Sequence, residues 1–217
     1  MPSTPESLLD VVPVMPVVVI DDVADAVPLA RALVAGGLPA IELTLRTPVA
    51  LEAIAAIAAE VPEILVGAGT ILSPGQAKQA HDAGARFLVS PGSTPTLLGA
   101  MADTGLPFLP GTSTVSEVLA VLEAGFTEMK FFPAEAAGGA PWLKSIASPV
   151  PDARFCPTGG ITAASAAAYL ALPNVGCVGG SWLTPADVVR RGDWTAVELL
   201  AREAATLGEP VAAPVRA

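Results

Sequence analysis

Eight short apolar runs, separated by segments with helical spacing, recur along the chain, and this alternation restricts the fold more than any other feature. The runs are Val14–Ile20, Ala40–Leu43, Ile64–Ala68, Phe87–Ser90, Phe108–Pro110, Met129–Phe132, Arg154–Pro157 and Val175–Val178. Between them lie Ala/Leu-rich stretches at Val23–Ala35, Val49–Glu60, Pro74–Ala83, Thr96–Ala102, Val115–Ala124, Pro141–Ala147 and Ala163–Leu172. A last helical pair covers about Pro185–Arg191 and Trp194–Thr206. Strands alternating with helices at this density, within 217 residues, predict an α/β fold, a single (β/α)8 TIM barrel. A doubly wound open sheet is the alternative, but it usually leaves more length per unit, and no Gly-x-Gly-x-x-Gly follows the first run. No linker, low-complexity tract or charge run divides the chain, so one domain over residues 1–217 is expected, with a loosely held tail from about Gly208.

The hydrophobic fraction is 52% and the mean hydropathy +0.60. Even so, no apolar stretch reaches the ~20 residues that a bilayer-spanning helix needs. The longest, Val11–Ile20, holds Pro13 and Pro16 and runs into Asp21 and Asp22. No basic leader precedes an apolar segment at the N-terminus, so a soluble cytoplasmic protein is expected. A net charge of −10 argues against nucleic acid as a partner, because that binding rests on Lys and Arg contacts to phosphates. A small anion remains possible, since backbone N–H groups and one arginine bind phosphate locally. Cys156 and Cys177 lie in apolar runs and read as buried thiols without a disulfide. With His81 the only histidine, zinc clusters and Ser-His-Asp triads are excluded, and no metal or cofactor is expected.

In a barrel of this kind, chemistry sits at the C-terminal ends of the strands and in the loops that follow. Lys130 lies in the sixth run, whereas Lys78 and Lys144, the other two lysines, lie on segments that read as helix surface. Strand alternation puts Glu128, Lys130 and Phe132 on one face and Met129 and Phe131 on the other. A lysine desolvated there is a nucleophile towards carbonyls. The plainer reading is a strand-end lysine whose head reaches water. By the same alternation Glu42, Thr44 and Arg46 project towards the barrel mouth, while Ile41, Leu43 and Leu45 face the helices. Here the plainer reading is a structural ion pair between Glu42 and Arg46. Thr158-Gly159-Gly160-Ile161 and Gly179-Gly180-Ser181 end the seventh and eighth runs. Glycines in those two loops let bare N–H groups approach an oxyanion, as in the phosphate site common to this barrel. An inward lysine, an inward carboxylate, an arginine and a phosphate cradle are the equipment of a Schiff-base aldolase.

At this point two long segments carry a resemblance. Gly37-Leu38-Pro39-Ala40-Ile41-Glu42-Leu43-Thr44-Leu45-Arg46-Thr47 resembles the glutamate signature of the 2-keto-3-deoxy-6-phosphogluconate (KDPG) aldolase family. Gly125-Phe126-Thr127-Glu128-Met129-Lys130-Phe131-Phe132-Pro133-Ala134-Glu135 resembles its Schiff-base signature. Gly67-Ala68-Gly69-Thr70, Ser90-Pro91-Gly92, Pro110-Gly111, Phe155 to Ile161 and Val178 to Leu183 are similar to further family motifs, in family order. The resemblance implies that Lys130 forms an imine with pyruvate or the substrate ketone and that Glu42 is the general acid/base. It implies that Arg46 and Thr70 contact the pyruvate portion, that Thr158 lies against its carboxylate, and that Phe132 walls the lysine. Gly159, Gly160, Gly179, Gly180 and Ser181 would hold the phosphate.

A metal-independent cytosolic homotrimer follows from the resemblance alone, as does cleavage of 4-hydroxy-2-oxoglutarate by some members. Three other functions compete with this one. The first is a relative acting on the galactonate epimer, which would share every catalytic residue. The second is a phosphate-binding isomerase or decarboxylase without imine chemistry, which has no use for a lone inward lysine. The third is a non-catalytic sugar-acid phosphate sensor, in which degraded motifs would be expected.

Overall fold

The computed structural model describes residues 7–208. Nine parallel strand segments and nine α-helices lie among them, alternating except where the fifth strand is split in two and where two helices close the chain. The strands are β1 Val14–Val18, β2 Ala40–Thr44, β3 Leu65–Gly69, β4 Leu88–Val89, β5 Phe108–Leu109, β6 Gly111–Thr112, β7 Glu128–Phe131, β8 Arg154–Pro157 and β9 Val178–Gly180. The helices are α1 Ala26–Ala35, α2 Ala50–Glu60, α3 Pro74–Asp82, α4 Pro95–Ala102, α5 Val115–Glu123, α6 Gly139–Ile146, α7 Ala163–Leu170, α8 Ala186–Arg190 and α9 Trp194–Ala205. Six strands form one parallel sheet in the order β5-β4-β3-β2-β1-β9, and β6-β7-β8 form a second. This is the expected α/β architecture. The loose tail expected beyond Gly208 lies outside the described residues.

Two strands depart from the expected runs. The fifth is broken at Pro110, which has no N–H to donate to a ladder. Its carbonyl still accepts from the Lys130 N–H, at 2.9 Å, so β5 pairs with β4 while β6 pairs with β7. The last strand starts at Val178, three residues later than expected. The Val175 N–H donates to Leu172 O in the turn that closes α7, so Val175 makes only an isolated bridge with Phe155. A second isolated bridge joins Thr158 to Gly179, next to the two glycine-rich ends.

The helices start where the residue types dictate. Ser73 before Pro74 and Thr94 before Pro95 place a capping hydroxyl ahead of a first-turn proline, and each hydroxyl accepts a first-turn N–H. Thr114 with Glu117, and Thr162 with Ser165, form reciprocal caps on α5 and α7. Asp22 instead caps a 3-10 turn, Val23–Asp25, which takes the first three residues of the expected helix. The outward faces of the strands bury against this helix layer. Phe131 stacks on Trp142 of α6 at 4.4 Å between ring centroids, and Phe155 meets both rings edge-on. Cys156 and Cys177 are buried free thiols. Among the described residues no helix is long and apolar enough to cross a membrane.

Candidate active site

Lys130 on β7 and Glu42 on β2 meet across the interior, although 88 positions separate them in the chain. Lys130 Nζ donates to Glu42 Oε1 at 3.0 Å and lies 3.5 Å from Oε2. Lys130 is 3% exposed and Glu42 1%, so the reading of a lysine head reaching water does not hold. An ammonium and a carboxylate desolvated together stabilise each other's charge, and removing either leaves an uncompensated buried ion. Lys78 and Lys144 are exposed on α3 and α6, as expected. Phe132 flanks the pair, with its ring centroid 5.5 Å from Nζ.

Thr44 shares Glu42's face, but its hydroxyl donates to Val18 O at 2.9 Å and so ties β2 to β1. Arg46 stands past the end of β2, is exposed, and makes no ion pair with Glu42. The structural pair proposed for those two residues is therefore replaced by Glu42 with Lys130. Arg46 Nε donates instead to Thr70 Oγ1 at 3.1 Å. Thr70 has φ of 61°, a left-handed conformation that a β-branched residue adopts only when its surroundings impose it. The loop after β3 thus carries local strain at the mouth of the site.

Thr158 is buried at the end of β8, its hydroxyl 3.4 Å from Cys156 O. Gly159 and Gly160 follow with φ of 106° and 81°, values that exclude ordinary side chains. Their loop is joined to the loop after β7: Ala134 N donates to Thr158 O at 2.8 Å and Glu135 N to Gly159 O at 3.0 Å. The missing side chains leave room for protein neighbours. A Cβ on Gly160 would come 2.8 Å from Glu135 Cβ, and one on Gly180 would come 2.6 Å from the Trp182 ring and 2.8 Å from Val14. One on Gly179 would run into Thr158. Ser181 is exposed and borders a cavity of about 180 Å³ with Thr184, Val17, Asp21, Asp25 and Arg190.

Two features escaped sequence reasoning. Arg190 on α8 lines the same cavity as Ser181, a cation that the sequence did not single out. Nothing in its local sequence separates it from Arg191, which pairs with Asp187 on the surface. Asp25, at the same cavity, has its pKa raised by burial and then by Asp22. The second is Tyr169, buried in α7, whose phenol donates to Glu135 Oε1 at 2.7 Å. Burial, and after it that carboxylate, raise the phenol's pKa. Glu128, on Lys130's face, lies at the far end of β7. There it accepts from Ser7, the Leu8 N–H and Arg154.

Chemically, the centre holds a buried primary amine with its proton acceptor 3.0 Å away, flanked by an aromatic ring. An amine freed by proton transfer to Glu42 can add to a carbonyl, and the carboxyl group can then return the proton.

Comparison with known proteins places this geometry in context. A family profile described as "KDPG and KHG aldolase" matches residues 6–200. The KHG/KDPG aldolase of Escherichia coli K12 is 52% identical over 202 residues, spanning 93% of this chain and 95% of that protein. The KDPG aldolase of Legionella pneumophila, with pyruvate captured as a covalent carbinolamine intermediate, superposes with a TM-score of 0.89 at 46% identity. The superposition spans 91% of this chain and 96% of that one. The Zymomonas mobilis ZM4 aldolase, with 3-phosphoglycerate, gives a TM-score of 0.88 at 49% identity, over 94% and 95% of the two chains.

Proposed function

The chain belongs to the KDPG and KHG aldolase family, and from that premise we propose that it cleaves 2-keto-3-deoxy-6-phosphogluconate to pyruvate and glyceraldehyde 3-phosphate through an imine on Lys130. As a member of the family it is a carbon–carbon lyase. The observation that carries the reading is the buried Lys130–Glu42 pair, 3.0 Å apart. Glu42 takes a proton from the ammonium, and the free amine adds to the C2 ketone. Glu42 returns the proton as the carbinolamine loses water to form the iminium. That cation accepts the electron pair of the C3–C4 bond as Glu42 removes the C4 hydroxyl proton, releasing the aldehyde. The remaining enamine takes a proton at C3, and water hydrolyses the imine to pyruvate.

Arg46 and Thr70, joined at 3.1 Å, are assigned to the pyruvate end, with Thr158 against its carboxylate and Phe132 as the wall. Gly159, Gly160, Gly179, Gly180 and Ser181 are assigned to the phosphate, with Arg190 as the nearby cation. The same centre would also cleave 4-hydroxy-2-oxoglutarate to pyruvate and glyoxylate, because the imine chemistry needs no phosphate. We further infer a single domain forming one closed (β/α)8 barrel. This is supported by the bridges from β8 to Val175 and Gly179, and by Pro110, which interrupts the fifth strand between its two ladders. A cytoplasmic homotrimer is the assembly and location proposed.

The test is reductive trapping. Pyruvate with borohydride should inactivate the enzyme and leave one covalent label per chain, on Lys130, with chelators having no effect on turnover. Label on Lys78 or Lys144, or the absence of label, would overturn the mechanism.

A further inference from the structure

We infer that Gly69 is the positioning residue for Glu42: the absence of a side chain at the last residue of β3 creates the seat in which the carboxylate meets Lys130. The inference rests on the reading of Glu42 as general acid/base. Register pairs Glu42 with Gly67 and Thr44 with Gly69, so both glycines stand on the inward face of β3 beside Glu42. Glycine inside a strand weakens it and usually marks a close approach. Here the two approaches differ. A Cβ on Gly67 would enter the ring of Phe87, a rigid group packed in the layer below. A Cβ on Gly69 would lie 2.6 Å from Glu42 Cγ and 2.8 Å from Cδ, and nearer still to Oε1.

That difference sets the chemistry. Phe87 fills the gap under Gly67 and floors the site, while Glu42 leans over β3 into the gap at Gly69 to reach Lys130 on the other sheet. The carboxylate is the free end of a flexible side chain, so a methyl at residue 69 would move it without dismantling the strand. Thr70, next in the chain, holds Arg46 through its hydroxyl, so the end of β3 positions both the acid/base and the arginine.

The experiment is Gly69→Ala, Glu42→Gln and the double variant, each assayed for KDPG cleavage across pH alongside thermal melting. Gly69→Ala should fold, melt no lower than Glu42→Ala, and lose ~10²-fold or more of kcat, in the range for a displaced general acid/base. KM should change little, and the pH profile should match that of Glu42→Gln. The double variant should be no slower than Glu42→Gln alone, because both changes remove the same group. Parent-like turnover in Gly69→Ala, with Glu42→Gln inactive, overturns the role of Gly69; multiplying losses in the double variant do the same. Parent-like turnover in Glu42→Gln instead overturns the acid/base reading. If Gly69→Ala does not fold, the reference is Glu42→Ala alone: the Gly69→Ala/Glu42→Ala double variant, which has no carboxylate to clash with, should melt no lower than Glu42→Ala, and a double variant that melts clearly lower overturns the proposal.

Discussion

At the scale of single residues, the centre depends on two charges kept out of water and facing each other. Lys130→Ala would leave Glu42 buried and unpaired, which costs ~3–5 kcal/mol in comparable sites. The expected result is a lower melting temperature together with complete loss of activity. Lys130→Arg keeps a cation but forms no imine, so it should be inactive while less destabilised. Equal melting of the two variants would show that the pair does not hold the site together. Thr70 offers a second test, because its φ of 61° holds strain of order 1–3 kcal/mol. Thr70→Gly should relax the backbone and melt at or above the parent. It should also raise KM, since Arg46 loses the acceptor that orients it. A variant that melts clearly lower would mean that the hydroxyl contact outweighs the strain. The inward direction of Lys130 and Glu42 was legible from alternation along each strand. Their pairing was not, because nothing within either segment says which strands face each other across the interior.

At the scale of elements, caps and strand ends hold the layers in register. Thr114 accepts the Glu117 N–H, and the Glu117 carboxylate accepts from the Ser113 and Thr114 N–H groups. Burial works to raise the Glu117 pKa, but the N–H groups and hydroxyls of Ser113 and Thr114 together outweigh it and the net shift is downward. Thr114→Ala should cost ~1 kcal/mol, measured by denaturant titration at unchanged slope. At the opposite end of the molecule, Arg154 binds Asp10 and Glu128, fastening the segment before β1 to the starts of β7 and β8. The hydrogen bond from Arg154 is the largest cause of a lowered Asp10 pKa. A depressed folded-state pKa contributes stability above the unfolded value, near 3.9, and loses it as pH falls through the folded value. Asp10→Asn should therefore melt about 1–3 °C lower at neutral pH, a modest effect for so exposed a pair, and the gap should close as pH falls through the depressed folded value. A gap that persists in acid would assign the effect to packing. Three of these caps stand openly in the sequence, Ser73 and Thr94 before proline and Thr114 three residues before Glu117. The Arg154 cluster joins residues 144 positions apart and has no local signature.

At the scale of the whole molecule, burial of the two thiols reports on cooperativity. Cys156 is 1% exposed and Cys177 0%, and the contact with Cys156, then burial, pushes the Cys177 pKa up. Neither should react with a disulfide reagent in the native state, and both should react together at the rate of global opening. Fast modification of one alone would show that β8 and β9 open separately. Glycine variants aimed at the phosphate site need a comparison of two substrates, because residues 160 and 180 also make room for Glu135, Trp182 and Val14. Losses on KDPG but not on 4-hydroxy-2-oxoglutarate would support the phosphate role, and equal losses would assign these glycines to packing. What the sequence determined by itself is the periodic content: where strands and helices form, which face of each strand turns inward, and which residue types carry the chemistry. These follow from forces acting over a few residues. Only the tertiary structure decided that Lys130 meets Glu42 rather than Arg46 meeting it, that Arg190 and Ser181 line one cavity, and that Gly69 vacates the space the carboxylate fills. Those outcomes depend on which distant segments exclude one another's volume, and excluded volume is a property of the packed chain that no local pattern encodes.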